Sequence, residues 1–270
     1  MQNLPIGVFD SGLGGLTCVK ELNALMPFED IVYFGDTARI PYGTRSRETV
    51  MRYAAQDIEF VKKHNVKMII AACGTVSSVS FAEKNLAGDD MLFTGVVIPA
   101  AQAACAATRN KKVGVIGTQA TIKTGAYGKA MRAICQDITV IGKACPMFVP
   151  LVENGYVKRG NPVATALAEE YLGPIRDEGV DTLILGCTHY PILSEIIADV
   201  MGSGVTLISS GREAANAAYA MLTKADLLTT RTEKGKNSFF VSDSAAGFSE
   251  QAKALLGGEA EGEIAVQIEL

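Results

Sequence analysis

Cys73 and Cys187 stand in matching settings. Each follows an apolar run, MIIAACGT in the first half of the chain and TLILGCTH in the second, and each precedes a turn that carries threonine. A free thiol has a pKa of about 8.5, so a fraction is thiolate near neutrality and can act as a base. Two thiols facing one cleft could take a proton from one face of a carbon and return one to the other face, a two-base exchange. Any single cysteine is more often a buried core thiol, the role expected for Cys18, Cys105, Cys135 and Cys145. Cys73 and Cys187 differ because both lie where strand passes into turn, and helix N–H groups there are expected to favour thiolate.

Few other residues could share this chemistry. Asp10 ends the first apolar run and precedes SGLGG, a glycine-rich turn leading into a helix. Its N–H groups could hold an anion such as a carboxylate, or Asp10 could simply cap a tight turn. The glycines do not follow the GxGxxG dinucleotide pattern. The polar stretch YFGDTARIPYGTRS, residues 33–46, reads as a loop over a cleft, with Asp36 and Arg39 as a surface pair if it plays no other part. The chain has only two histidines. His189 follows Cys187 by two positions, whereas His64, in a helical KKHN run, is expected to face solvent. No HxxxH or Cys-His cluster has zinc-ligand spacing, so the chemistry is expected to be free of metal. Glu153, in PLVENG, reads from spacing alone as one carboxylate among many, between an apolar turn and a loop.

Positioning these residues requires strands that end at a common edge. Strand-like and helix-like runs alternate: 6–9 then 16–26, 31–34 then 47–63, 68–72 then a helix near Thr75. The rhythm restarts with strand 95–98, helix 100–108, strand 113–116, a helix from Thr121, and strands 139–141 and 182–185. Later come a strand at 205–208, a helix at 212–222, a strand at 238–241, and a loop at 257–263. This is the βαβ pattern of parallel sheets covered by helices, whose C-terminal strand edge binds ligands. IGVFDSG at 6–12 resembles VGVIGTQ at 113–119; 66 residues separate Gly7 from Cys73 and 73 separate Gly114 from Cys187. Internal duplication follows as an expectation. The predicted fold is therefore α/β, with two pseudo-symmetric domains of mainly parallel sheet and an active site in the cleft between them. The first domain is expected over 1–95 plus 209–270 with Asp10 and Cys73, the second over 96–208 with Glu153, Cys187 and His189.

At 270 residues, 48% of them hydrophobic, the chain can bury a sizeable core. A net charge of −4 and the absence of long basic runs argue against a nucleic-acid footprint. No stretch reads as a membrane span or secretory signal, and six cysteines without a CxxC pair read as reduced thiols. A cytoplasmic protein is expected.

Taken together, DSGLGG (10–15), YFGDTARIPYG (33–43), AACGT (71–75), VGVIGTQAT (113–121), PLVENG (150–155) and GCTHYPIL (186–193) resemble the bacterial glutamate racemases, in the family's order. The resemblance implies a cofactor-independent racemase making D-glutamate for peptidoglycan. It assigns Cys73 and Cys187 as bases, with Asp10 and His189 assisting and Glu153 nearby. Substrate contacts are implied at Ser11, Tyr42, Gly43, Thr75 and Thr188, and also at Thr118 and Thr121. Dimers are common in the family, so a homodimer is compatible with the sequence. One departure stands out: Gly74 occupies a substrate-binding position where the family usually carries Asn, and glycine has no side chain to donate or accept. That leaves open a racemase of aspartate or another acidic amino acid, or a catalytically weak binding or regulatory protein.

Overall fold

The computed structural model describes residues 1–83, 85–256 and 265–269, and the expected 257–263 loop lies outside them. Among the described residues ten strands form two sheets. The first contains β1 (Ile6–Asp10), β2 (Ile31–Gly35), β3 (Met68–Ala71), β4 (Leu92–Gly95), β9 (Asn237–Val241) and β10 (Val266–Gln267), in the order β10-β9-β2-β1-β3-β4. The second contains β5 (Lys112–Gly117), β6 (Thr139–Ala144), β7 (Thr182–Leu185) and β8 (Thr206–Ser209), in the order β6-β5-β7-β8. Every pairing is parallel. The central strands β1, β3 and β7 are buried throughout, as their continuous apolar runs require when helices cover both faces.

The order β2-β1-β3-β4 repeats as β6-β5-β7-β8, and the register repeats with it. Gly7 pairs with Ile69, and Cys73 lies four residues beyond Ile69; Gly114 pairs with Leu183, and Cys187 lies four residues beyond Leu183. The two thiols therefore occupy the same place on two copies of one scaffold. The chain returns late to its starting point. Helix Ser210–Lys224 packs on helices Leu16–Leu25 and Val97–Ala107, and β9 then pairs with β2.

Several local expectations change. The strand expected at 95–98 is β4, Leu92–Gly95, while Val97 already begins helix Val97–Ala107. Pro99 falls in the first turn of that helix, where a missing N–H costs nothing, so the β-branched residues around it do not read as strand in context. The helix from Thr121 is two helices, Gln119–Thr124 and Ala126–Ile134, broken at Gly125, whose φ of +62° is left-handed. A helix not anticipated, Pro162–Asp177, starts at Asn161, whose Oδ1 accepts from the amides of Val163 and Ala164. His64 is half-buried, packed at a tilt against Phe60 and Phe240 at centroid distances of 4.9 and 4.5 Å; burial holds its pKa below the usual histidine value. Glu153 is the last residue of a helix, Phe148–Glu153, where an apolar turn was expected before it.

Candidate active site

The C-terminal ends of β1, β3, β5 and β7 meet at a cleft between the sheets. Its cavity, about 300 Å³, is lined from the first half by Ser11, Tyr42, Gly43, Cys73, Gly74 and Thr75. Thr118, Glu153, Cys187, Thr188 and His189 line it from the second. Cys73 and Cys187 are 4% and 6% exposed, buried enough for electrostatics to be strong and open enough to meet a small molecule.

On one side, Cys73 caps the N-terminus of helix Gly74–Val79, and its Sγ donates to Ser11 Oγ at 3.4 Å. The turn was expected to favour thiolate. Burial instead pushes the thiol up to about 12, reinforced by the negative charge of Asp10, and the helix amide of Val76 and the Ser11 hydroxyl offset this only in part. This environment favours the thiol form of Cys73 over the thiolate.

Asp10 is fully buried and stands behind the cleft wall. Its Oδ2 accepts from the amides of Gly12 and Gly15 at 3.1 and 3.0 Å, so those N–H groups are taken by the protein's own carboxylate, not held free for an anionic ligand. Oδ1 has no partner. Burial raises the Asp10 pKa, opposed by the charge of His189 and by the turn amides.

On the other side, Cys187 Sγ lies 4.0 Å from His189 Nδ1, and His189 Nε2 faces Glu153 Oε1 at 3.4 Å without an in-line hydrogen bond. Burial opposes a charge on the imidazole. The contacts with Cys187 and Glu153 and the charge of Asp10 outweigh it, and the His189 pKa rises to about 10. At neutral pH an imidazolium therefore flanks the Cys187 sulfur.

Contacts across the cleft hold the halves in close register. Thr75 and Thr118 share a hydroxyl hydrogen bond of 3.0 Å, and Thr17 Oγ1 donates to the Thr188 carbonyl at 2.9 Å. Glycines make the approach sterically feasible. A Cβ on Gly14 would overlap Thr188 and His189, one on Gly43 would lie 2.8 Å from Thr118 Cβ, and one on Gly74 would overlap the Gly186 carbonyl oxygen. Any side chain at 74, Asn included, thus requires the two strand ends to part. Thr121 does not line the cleft: it sits behind Thr118, whose hydroxyl donates to it at 3.0 Å. Gln119, Pro146 and Val149 also line the wall, and nothing in their spacing marks them in the sequence. Among the described residues no three His, Cys, Asp or Glu side chains converge as a metal site.

The sequence profile of the Asp/Glu/Hydantoin racemase family matches residues 6–218. The glutamate racemase of Geobacter metallireducens is 44% identical over 256 residues, covering 94% of this chain and 93% of that protein. Among solved structures, a glutamate racemase isoform from Bacillus anthracis superposes with a TM-score of 0.92 at 36% identity, covering 100% of this chain and 99% of the other. The glutamate racemase of Francisella tularensis, solved with D-glutamate, gives 0.89 at 37% identity and covers 100% and 98%. With two thiols placed identically on repeated parallel sheets and relatives this similar over nearly its whole length, the chain belongs to the Asp/Glu/hydantoin racemase family and is an amino-acid racemase.

Proposed function

We propose that this protein interconverts L- and D-glutamate by two-base proton exchange, with Cys73 and Cys187 as the bases, and serves as a cytoplasmic source of D-glutamate for peptidoglycan. The observation that carries the reading is that both sulfurs line one cavity from equivalent strand ends of two facing sheets. One thiolate takes the Cα proton, the C–H electron pair stays on carbon, and the opposite thiol donates its proton to the other face. The two sulfurs thereby exchange protonation states, and the reverse reaction starts from the product.

The Cα proton of an amino acid is a weak acid, so the site must stabilise charge as it develops. Ser11, Thr75, Thr118 and Thr188 supply hydroxyls for the substrate's polar groups, and enclosure between the sheets strengthens each contact. The substrate ammonium brings a positive charge next to Cys73, opposing the burial and the Asp10 carboxylate that hold it as a thiol. The His189 imidazolium can pass a proton to Cys187, and Glu153 steadies it. By resemblance, Cys187 abstracts from the L-isomer and Cys73 from the D-isomer.

The direct test is chiral detection of D-glutamate from L-glutamate in heavy water, run beside L-aspartate. Formation of D-glutamate carrying deuterium at Cα is expected. A preference for aspartate, or turnover of neither, would overturn the substrate assignment; product without solvent deuterium would overturn the proton exchange.

A further inference from the structure

Behind the wall formed by residues 40–44 lies a buried polar cluster that the racemisation chemistry does not use. Tyr42, 1% exposed, turns its hydroxyl to two carboxylates, Asp36 Oδ2 and, at 3.1 Å, Asp57 Oδ2. Both acids are fully buried; Asp57 comes from helix Arg47–Lys62 and Asp36 from the end of β2. Among the described residues the one cation in direct contact is Arg39, with Nε 2.5 Å from Asp36 and Nη2 3.0 Å from Asp57. Its guanidinium lies 4.2 Å over the Tyr53 ring and also bonds Gln56. Ser242 donates to Asp36 Oδ1 at 2.8 Å.

The hydrogens can be counted. A phenol has one hydrogen, and it points to Asp36, the closer acceptor. Asp57 Oδ2 then faces the phenol oxygen, acceptor to acceptor, unless it carries a hydrogen of its own. Two carboxylates against one guanidinium would also leave a net negative charge in a dry site. We propose that Asp57 is a neutral carboxylic acid at physiological pH, donating to Tyr42 in a chain Asp57 to Tyr42 to Asp36, and that it is the positioning residue for the Pro41-Tyr42-Gly43 wall of the substrate cleft. Burial, and next the Asp36 charge, raise the Asp57 pKa well above the usual carboxylate value, opposed by Arg39 and the Tyr42 hydrogen bond; Asp10 adds to the rise. Ionising Asp57 places two anions on one phenol hydrogen and loosens a wall that Gly43 presses against Thr118. Substrate affinity therefore falls as pH climbs through the Asp57 titration, with the bases themselves untouched.

The inference rests on the glutamate racemase reading for its kinetic consequence but not for the proton. Infrared difference spectra of wild type against Asp57→Asn at neutral pH should show the carbonyl band of a protonated carboxyl group lost in the variant. A carboxylate band in its place overturns the proposal whether or not the protein racemises glutamate. In steady state, wild-type KM for L-glutamate should rise above a single titration. Asp57→Asn, whose amide can donate as the acid does, should abolish that rise while keeping neutral-pH KM within about twofold. Asp57→Leu should raise KM about tenfold at every pH, the reach of one buried hydrogen bond, with kcat little changed. If Asp57→Asn raises KM as much as Asp57→Leu, the positioning role is wrong.

Discussion

The two ends of the cleft are built on one scaffold and carry different chemistry. Asp10 lies three residues after Gly7, and the matching position after Gly114 is Gly117; His189 lies two residues after Cys187, and the matching position after Cys73 is Thr75. One side is thus a thiol flanked by a buried carboxylate, the other a sulfur flanked by an imidazolium that Glu153 supports. On the proposed mechanism, mirror-image substrates present the same groups to opposite walls, and a symmetric scaffold would bring a base to each face. The unequal neighbours give the two walls different partners for a proton.

Removing either proposed base is the largest break in the comparison. Cys73→Ala and Cys187→Ala should each lower racemisation by on the order of 10³-fold or more, within the reach of general acid–base catalysis. Retention of near wild-type turnover by either variant would end the two-base scheme. Cys→Ser variants are expected to keep single-face proton exchange, read as deuterium uptake without inversion.

Smaller losses should reveal the asymmetry. Asp10→Asn and His189→Asn should slow the two directions unequally, by on the order of 10²-fold in the more sensitive direction. Equal and negligible losses would reduce both residues to turn-shaping roles. Gly74→Asn tests whether the halves need their close approach. Because Asn would collide with the Gly186 carbonyl, overpacking should cost about tenfold in kcat/KM despite the amide it adds. A gain in kcat/KM would show that the missing amide, not the contact, limits this enzyme.

The subtlest change is in pH dependence. Glu153→Gln removes one of the contacts that raise His189, so the alkaline limb of the rate profile should move to lower pH. Stability follows the same sign. A histidine raised from 6.5 to about 10 contributes stability that is whole below 6.5 and lost as pH rises through about 10. The fall in Tm over that range should be shallower in Glu153→Gln. An unshifted profile and an unchanged Tm slope would remove Glu153 from the pair. Cys105→Ala, on a helix away from the cleft, serves as the comparison and should keep wild-type turnover.

The strands that carry the two thiols were legible because buried parallel strands read as unbroken apolar runs, and Met68–Ala71 and Thr182–Leu185 do so. The repeat was legible in IGVFDSG and VGVIGTQ, short as they are. The start of helix Val97–Ala107 was not, since local β-branching was overridden by a first-turn proline. Helix Pro162–Asp177 carries a readable signal in Asn161-Pro162, a cap followed by proline at the first position. The protonation of Cys73 could not be read from the chain at all. Turn position argues for thiolate, and only the three-dimensional burial beside Asp10 decides against it. The crowding of Gly74 against Gly186 is likewise a contact between residues more than a hundred positions apart.

The pairing of β9 with β2 has a consequence for how the chain is made. The second sheet is contiguous from Lys112 to Ser209, whereas the first waits for Asn237–Val241 to cover the flank of β2. During synthesis the second sheet can close first, while β2 emerges early and stays an open edge able to pair with another chain until translation is nearly done. A ribosome stalled before residue 237 would therefore hold a nascent chain with one finished half and one adhesive edge. The order of the strands along the chain thus sets which edge stays open longest.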